Sequence, residues 1–170
     1  MEKYKITVLL GTAKEGNFSK DVSKFVVKEL EKNEKFEVKH VDVKDFLYGK
    51  TTVEGDTING WKEIIESTDG LVVVSPEYNH SIPGELKILL DSLYTEYTGK
   101  VAATVGTSMG GFAGSRMLEH LKIVLHTINF DICLRTGNFA GVRDDWSKDS
   151  EKYEKQITGI AEEIISKLSK

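Results

Sequence analysis

Apolar positions along the chain switch repeatedly between a strand-like spacing and the 3.6-residue period of a helix face. Ile6, Val8 and Leu10 open with a strand, after which Val22, Phe25, Val26 and Leu30 keep helical spacing. Phe36 to Val41 alternates apolar and polar, as does a strand at a sheet edge or with one exposed face. Residues 44–60 are polar and contain glycine, which predicts a loop. Trp61, Ile64, Ile65 and Thr68 line a second helix face, with Trp61 expected in the core, and Gly70-Leu-Val-Val-Val74 reads as a buried strand. Leu86, Leu89, Leu90 and Leu93 mark a third helix. A fourth strand lies in residues 100–106, followed by a helix striped by Met117, Leu118, Leu121, Val124, Leu125 and Ile128. Phe130–Arg135 is predicted as a fifth strand, and Tyr153, Ile157, Ile160, Ala161, Ile164 and Leu168 stripe a long C-terminal helix.

Five strands alternating with five helices, with strands 1, 3, 4 and 5 apolar throughout, predict a parallel sheet covered on both faces. The commonest five-stranded doubly wound order is 2-1-3-4-5, the flavodoxin-like three-layer sandwich. At 170 residues the chain is expected to form one domain, 1–170. Its composition, 39% hydrophobic and 29% charged, is that of a water-soluble protein. A net charge of −4 with no basic stripe argues against nucleic acid and anionic lipid as partners. No apolar run approaches membrane-spanning length, the N-terminus lacks the apolar core of a signal peptide, and the lone Cys133 excludes an internal disulfide. The expected location is the cytoplasm, with Cys133 a small core residue.

In such sheets ligands bind beyond the C-terminal strand ends, where strands 1 and 3 diverge. The loops after Leu10, Val74 and Val105 are therefore the informative ones. The first, Gly11-Thr-Ala-Lys-Glu-Gly-Asn-Phe-Ser19, offers N–H groups, hydroxyls and a cation ahead of a helix, which suits a phosphate. Asn17 or Ser19 could equally serve as the helix cap. The loop has neither the Lys-Ser/Thr pair of a Walker A motif nor GxGxxG spacing. The third loop, Gly106-Thr-Ser-Met-Gly-Gly-Phe-Ala-Gly114, holds four glycines, which allow close backbone approach to a flat ligand or serve ordinary turns. The middle loop carries the only two prolines, Pro76 and Pro83, which stiffen both ends of a segment offering Tyr78, Asn79 and Ser81. That combination reads as a platform for a planar ligand.

Ser75-Pro-Glu-Tyr-Asn-His-Ser-Ile-Pro-Gly-Glu-Leu-Lys87 with Asp91 closely resembles the signature of the NADPH-dependent FMN reductases, and the resemblance spans essentially the whole chain. It implies FMN as cofactor, NADPH or NADH as donor, and a small acceptor such as a quinone, azo compound, metal ion or free flavin. By the same resemblance Gly11, Thr12, Lys14, Asn17, Phe18 and Ser19 would hold the FMN phosphate. Pro76, Glu77, Tyr78, Asn79, His80 and Ser81 would border its ring system, with Ser108, Gly110 and Gly111 at the pyrimidine end. No catalytic acid, base or metal is implied. Lys14 stands where the family commonly has arginine, giving a point charge in place of a bidentate fork. Met109 replaces a common proline, and Ile88 a common asparagine. Arg116 follows the glycines, as in the family, and faces cofactor, NADPH or a carboxylate.

Family members are generally dimers or tetramers through the region of Asp91-Ser-Leu-Tyr-Thr-Glu-Tyr-Thr-Gly-Lys100, so Tyr94 and Tyr97, expected at the end of the third helix, are candidates for a homodimer or homotetramer interface or for local packing. Residues 45–58, with Phe46, Leu47 and Tyr48, are a candidate cover for a neighbouring subunit's site. Two other classes compete with the enzyme. A flavodoxin-type electron carrier would bind FMN without using pyridine nucleotide, and such carriers are usually more acidic. A receiver domain would need acidic residues where Gly11-Thr12 stand, and is rejected.

Overall fold

The structure, a computed structural model, describes residues 2–47 and 56–170. Strands β1 (Tyr4–Leu10), β2 (Phe36–Asp42), β3 (Gly70–Pro76), β4 (Val101–Thr107) and β5 (Asp131–Phe139) alternate with helices α1 (Ser19–Glu31), α2 (Asp56–Glu66), α3 (Gly84–Asp91), α4 (Ser115–Thr127) and α5 (Ser150–Leu168). The strands pair in parallel in the order β2-β1-β3-β4-β5, the flavodoxin-like arrangement expected.

Every residue of β3 and β4 is buried, as is β1 from Ile6 onward. Helices on both sides leave no face for polar residues, which is why these strands read as unbroken apolar runs. Leu9, Leu71, Val73 and Ala102 pack on one face against Trp61, Leu86, Leu89, Met117 and Leu121. Ile6, Val8, Val72, Val74 and Val105 pack on the other against Val22, Val26, Ile157 and Ile160. So α2, α3 and α4 cover one side and α1 with α5 the other. No described helix is long and apolar enough to cross a membrane.

Three sequence expectations change. Within the stretch read as a loop, Val43–Phe46 forms a 3₁₀ turn whose start is capped by the Asp42 carboxylate accepting the Lys44 amide at 3.0 Å. Helix α2 begins at Asp56, and its opening Asp-Thr-Ile-Asn-Gly is poor in helix formers, which disguised it. Of the proposed inter-subunit cover, Phe46 is a core residue packed on Trp61 at 5.3 Å, Leu47 is partly buried against the same core, and residues 48–55 lie outside those described.

Strand β5 runs to Phe139 and is an edge, not a strand covered on both faces. Ala102 pairs with Ile132 and Thr104 with Thr136, so Cys133, Leu134 and Arg135 bulge opposite Ala103 alone. The bulge breaks the period of two and hid the strand's second half. Leu134 is 86% exposed, while Cys133 is buried, its thiol pushed up to about 12 by desolvation. The third change concerns the tyrosines. Helix α3 stops at Asp91, and Tyr97 lies in a 3₁₀ turn, fully buried, accepting the Trp61 Nε1 hydrogen at 2.8 Å. Burial pushes its phenol up, and Tyr97 therefore belongs to the protomer's own core.

Candidate active site

A cleft with about 560 Å³ of empty space, open to solvent, lies at the C-terminal ends of β1, β3 and β4. Lys14, Gly16, Asn17, Phe18 and Ser19 line it from the loop into α1. Pro76, Glu77 and Tyr78 come from the end of β3 and beyond it, Thr107, Ser108 and Met109 from the end of β4 and beyond, and Val142 from the turn after β5. Parallel strands with helical crossovers bring these distant segments to one edge, side by side in sheet order.

The first two walls are stitched together. The Thr12 hydroxyl donates to Glu85 Oε1 at 3.0 Å and accepts from the Tyr78 hydroxyl at 3.0 Å, while the Ala13 amide also reaches Glu85 Oε1 at 3.0 Å. Thr12 is fully buried, and its hydroxyl is already engaged within the protein. Gly11 is absent from the lining as well. A Cβ there would stand 3.0 Å from Leu86 and 3.1 Å from Ser75, so packing of α3 on β3 requires the glycine. Asn17 acts as the cap, accepting the Lys20 amide at 2.9 Å and donating to the Lys14 carbonyl at 2.7 Å. The buried Ser19 hydroxyl is bonded to Thr107 Oγ1 at 2.7 Å, fastening α1 to β4. Lys14 remains the one cation in the lining.

Beyond Tyr78 the chain makes a tight two-residue turn. Tyr78 and Ser81 exchange both backbone hydrogen bonds, at 3.0 and 2.9 Å, across Asn79 and His80 at φ 48° and 68°. Positive φ at both central positions matches a type I′ turn, where asparagine is among the few side chains tolerated cheaply. Asn79 and His80 point outward, exposed, and Ser81 accepts or donates to His120 Nδ1 at 3.0 Å from α4. None of these three lines the cleft. Pro83 is the residue that precedes α3, with φ −58° and ψ 141°, and so stiffens that end of the loop as expected.

The four glycines after β4 divide into two pairs. A Cβ on Gly106 would approach the Ala113 carbonyl to 2.6 Å, and one on Gly114, at φ 73°, would approach the Gly106 Cα to 3.0 Å. These two let α4 start directly against β4. A Cβ on Gly110 or Gly111 would meet nothing within 4 Å, and both residues are exposed, although they stand outside the cleft lining and the Gly110 carbonyl already accepts the Gly141 amide at 3.3 Å. Ser108 donates to the Gly110 carbonyl at 2.7 Å, which folds the loop back beside Met109. Gly16, Thr107, Met109 and Val142 were not among the site residues read from sequence. Val142 was hidden by the underestimated length of β5, whereas Gly16, Thr107 and Met109 stood in the quoted loops without being singled out as site residues, and Thr107 proves to be the last residue of β4.

Glu77 makes a specific ion pair. Its Oε1 accepts Arg116 Nε at 2.8 Å and also Nη2, while Oε2 is buried without a partner. The carboxylate side chain is 6% exposed, and the guanidinium lies over the Phe112 ring, 4.9 Å from its centroid. Arg116 thus meets a carboxylate, one of the three alternatives left by the sequence. Phe18, Met109 and Phe112 are exposed apolar side chains around the same edge of the sheet.

A quinone reductase of Escherichia coli is 30% identical over 132 residues, 73% of this chain and 70% of that protein. An NAD(P)H-dependent FMN reductase of Saccharomyces cerevisiae is 39% identical over 72 residues, which are 42% of this chain and only 37% of that protein. An oxidoreductase structure from Corynebacterium diphtheriae superposes with a TM-score of 0.80 at 20% identity, covering 99% of this chain and 98% of that one, a likeness of fold. The family model for NADPH-dependent FMN reductases matches residues 4–142, every loop of the cleft included, and the chain therefore belongs to that family.

Proposed function

We propose that the chain is an NAD(P)H-dependent oxidoreductase that holds FMN in this cleft and delivers electrons to a small acceptor such as a quinone, azo compound, metal ion or free flavin. The observation that carries this reading is the composition of the cleft walls. One side has Lys14 and the start of α1, suited to a phosphate, and the others have Pro76, Tyr78, Met109 and Val142, suited to a flat ring. FMN, when bound, takes two electrons from a nicotinamide and passes them to an acceptor. The protein's part is to bind, orient and shape the ring's surroundings.

Lys14, Asn17, Phe18 and Ser19 hold the phosphate end, with Gly11 and Thr12 fixing that loop's path. Pro76 to Ser81 form the ring's edge, the exposed turn at Asn79 and His80 facing incoming acceptor or donor. Gly110 and Gly111 bring backbone amides toward the pyrimidine side, and Ser108, whose own amide donates to the Phe139 carbonyl at 3.0 Å and whose hydroxyl donates to Gly110, holds that loop in place. Relatives named as reductases favour an enzyme over an FMN-bearing carrier without pyridine-nucleotide activity. The protein acts in the cytoplasm as one domain and assembles as a homodimer or homotetramer, with Tyr94, 56% exposed, offering apolar surface for contact.

Purified protein loaded with FMN is expected to be yellow, absorbing near ~450 nm, and to bleach under anaerobic NADPH or NADH. A chain that takes up no FMN would remove the reading. A yellow chain inert to both nucleotides would place it with the carriers.

A further inference from the structure

We propose that Arg116 is a positioning residue that neutralises Glu77 beside the FMN ring and thereby sets how strongly the cleft prefers reduced over oxidised FMN. The inference rests on the FMN reading above. Among the cleft's lining residues only Lys14 and Glu77 carry charge, and Glu77 comes from the central wall, next to Pro76 and Tyr78. Its side chain is 6% exposed, and Oε2 meets no donor among the described residues. A carboxylate this buried is poorly screened by water, so its negative charge acts on a neighbouring ring more strongly than an exposed one would.

Two electrons and one proton, the equivalent of a hydride from the nicotinamide, convert the neutral oxidised ring into an anion. An uncompensated Glu77 would oppose that form. Arg116 compensates it through Oε1 alone, with both Nε and Nη2. The guanidinium is held from two sides, by Glu77 and by the Phe112 ring at 4.9 Å. It reaches the carboxylate from the first turn of α4, whose close approach to β4 depends on Gly106 and Gly114. Glu85, the other carboxylate nearby, is occupied by Thr12 and Ala13 and is not in the lining.

The test measures FMN affinity of the apoprotein and the two-electron potential of bound FMN, which together give the ratio of affinities for the reduced and oxidised forms. Arg116→Met is expected to lower that ratio about tenfold, which corresponds to a potential about 30 mV more negative. Glu77→Gln is expected to shift it in the opposite direction. The double variant, with neither charge, should return to within about threefold of wild type, and Arg116→Lys, which keeps the charge, should also stay near wild type. A purely structural role predicts no such opposition of sign and no rescue. Should Arg116→Met fail to fold, Glu77→Gln and the double variant carry the same comparison. A wild-type ratio in Arg116→Met, or a double variant that behaves like Arg116→Met, would overturn the inference while leaving the FMN reading intact. A wild-type chain that binds no FMN would overturn both.

Discussion

A Cβ on Gly106 would sit 2.6 Å from the Ala113 carbonyl, a backbone atom that cannot swing away, whereas a Cβ on Gly110 meets nothing within 4 Å. The two positions are four residues apart and indistinguishable by residue type. Gly106→Ala is expected to destabilise the fold by about 1–3 kcal/mol, the ordinary cost of forced overpacking. Gly110→Ala should stay within about 0.5 kcal/mol of wild type. Urea unfolding of the apoprotein measures both, and FMN titration of the Gly110→Ala variant reports whether that backbone approaches the cofactor. Equal stabilities for the two variants would show that the strand–loop approach relaxes freely. The glycine-rich loop was legible in the sequence, but the division of labour within it was not, because it depends on how closely α4 crosses β4. The hydroxyls of Thr12 and Ser19 carry the same lesson. Their residue type suits a phosphate, and only the fold reveals that Glu85, Tyr78 and Thr107 already engage them.

The two edge strands solve different problems. On β5 the amides of Leu134 and Arg135 donate to the two oxygens of Glu163 at 2.7 and 2.9 Å, and the Asn138 amide donates to Gln156 at 2.8 Å. Side chains of α5 thus occupy donors that a free edge would offer to another strand, and the bulge bends the edge further from pairing geometry. Glu163→Ala is expected to raise concentration-dependent self-association above that of wild type, read as mass by light scattering after size exclusion. Wild-type mass at every concentration would show that the bulge alone closes the edge. On β2, His40 stands on the exposed edge with its ring set against α1, Nε2 lying 3.1 Å from the buried Ser23 hydroxyl, which takes part of the ring out of water. Burial is the largest influence and lowers its pKa from 6.5, with Asp42 and Asp45 pulling upward and Lys20 and Lys24 downward. The folded state therefore binds fewer protons than the unfolded one around this pH. Its contribution is complete above about pH 6.5 and fades as pH falls toward the lowered folded value. Denaturation at pH 8 and pH 5 should show a smaller loss of stability in His40→Gln than in wild type. Equal losses would mean that His40 titrates alike in both states. The buried strands announced themselves as apolar runs, while α2 and the second half of β5 did not. A weak helix start and a bulge each erase periodicity without changing the element.

At the scale of the whole molecule, a parallel sheet with helices on both faces leaves its carboxyl edge as the place where loops can gather without disturbing either core. That is why the three informative loops could be named from sequence, and why Val142, from the turn after β5, joined them only in three dimensions. The same architecture concentrates charge. The chain carries a net −4, so its overall field repels a phosphorylated cofactor, and attraction must come from short-range groups at the start of α1. Among the described residues Lys14 is the one cation in the cleft lining, so on the proposed FMN reading phosphate recognition rests on it. An exposed lysine acts as a point charge without the bidentate geometry of arginine. Lys14→Met is therefore expected to weaken FMN binding by about tenfold, or about 1.4 kcal/mol. Riboflavin, which has the ring but no phosphate, should bind the variant as it binds wild type. The FMN difference between the two proteins should also shrink as salt rises, because screening removes from wild type what the substitution removes outright. Titration of apoprotein with both flavins at low and high salt checks this. An equal loss of FMN and riboflavin affinity would mean that Lys14 supports the shape of the cleft, and would move phosphate recognition to the backbone amides of the α1 start.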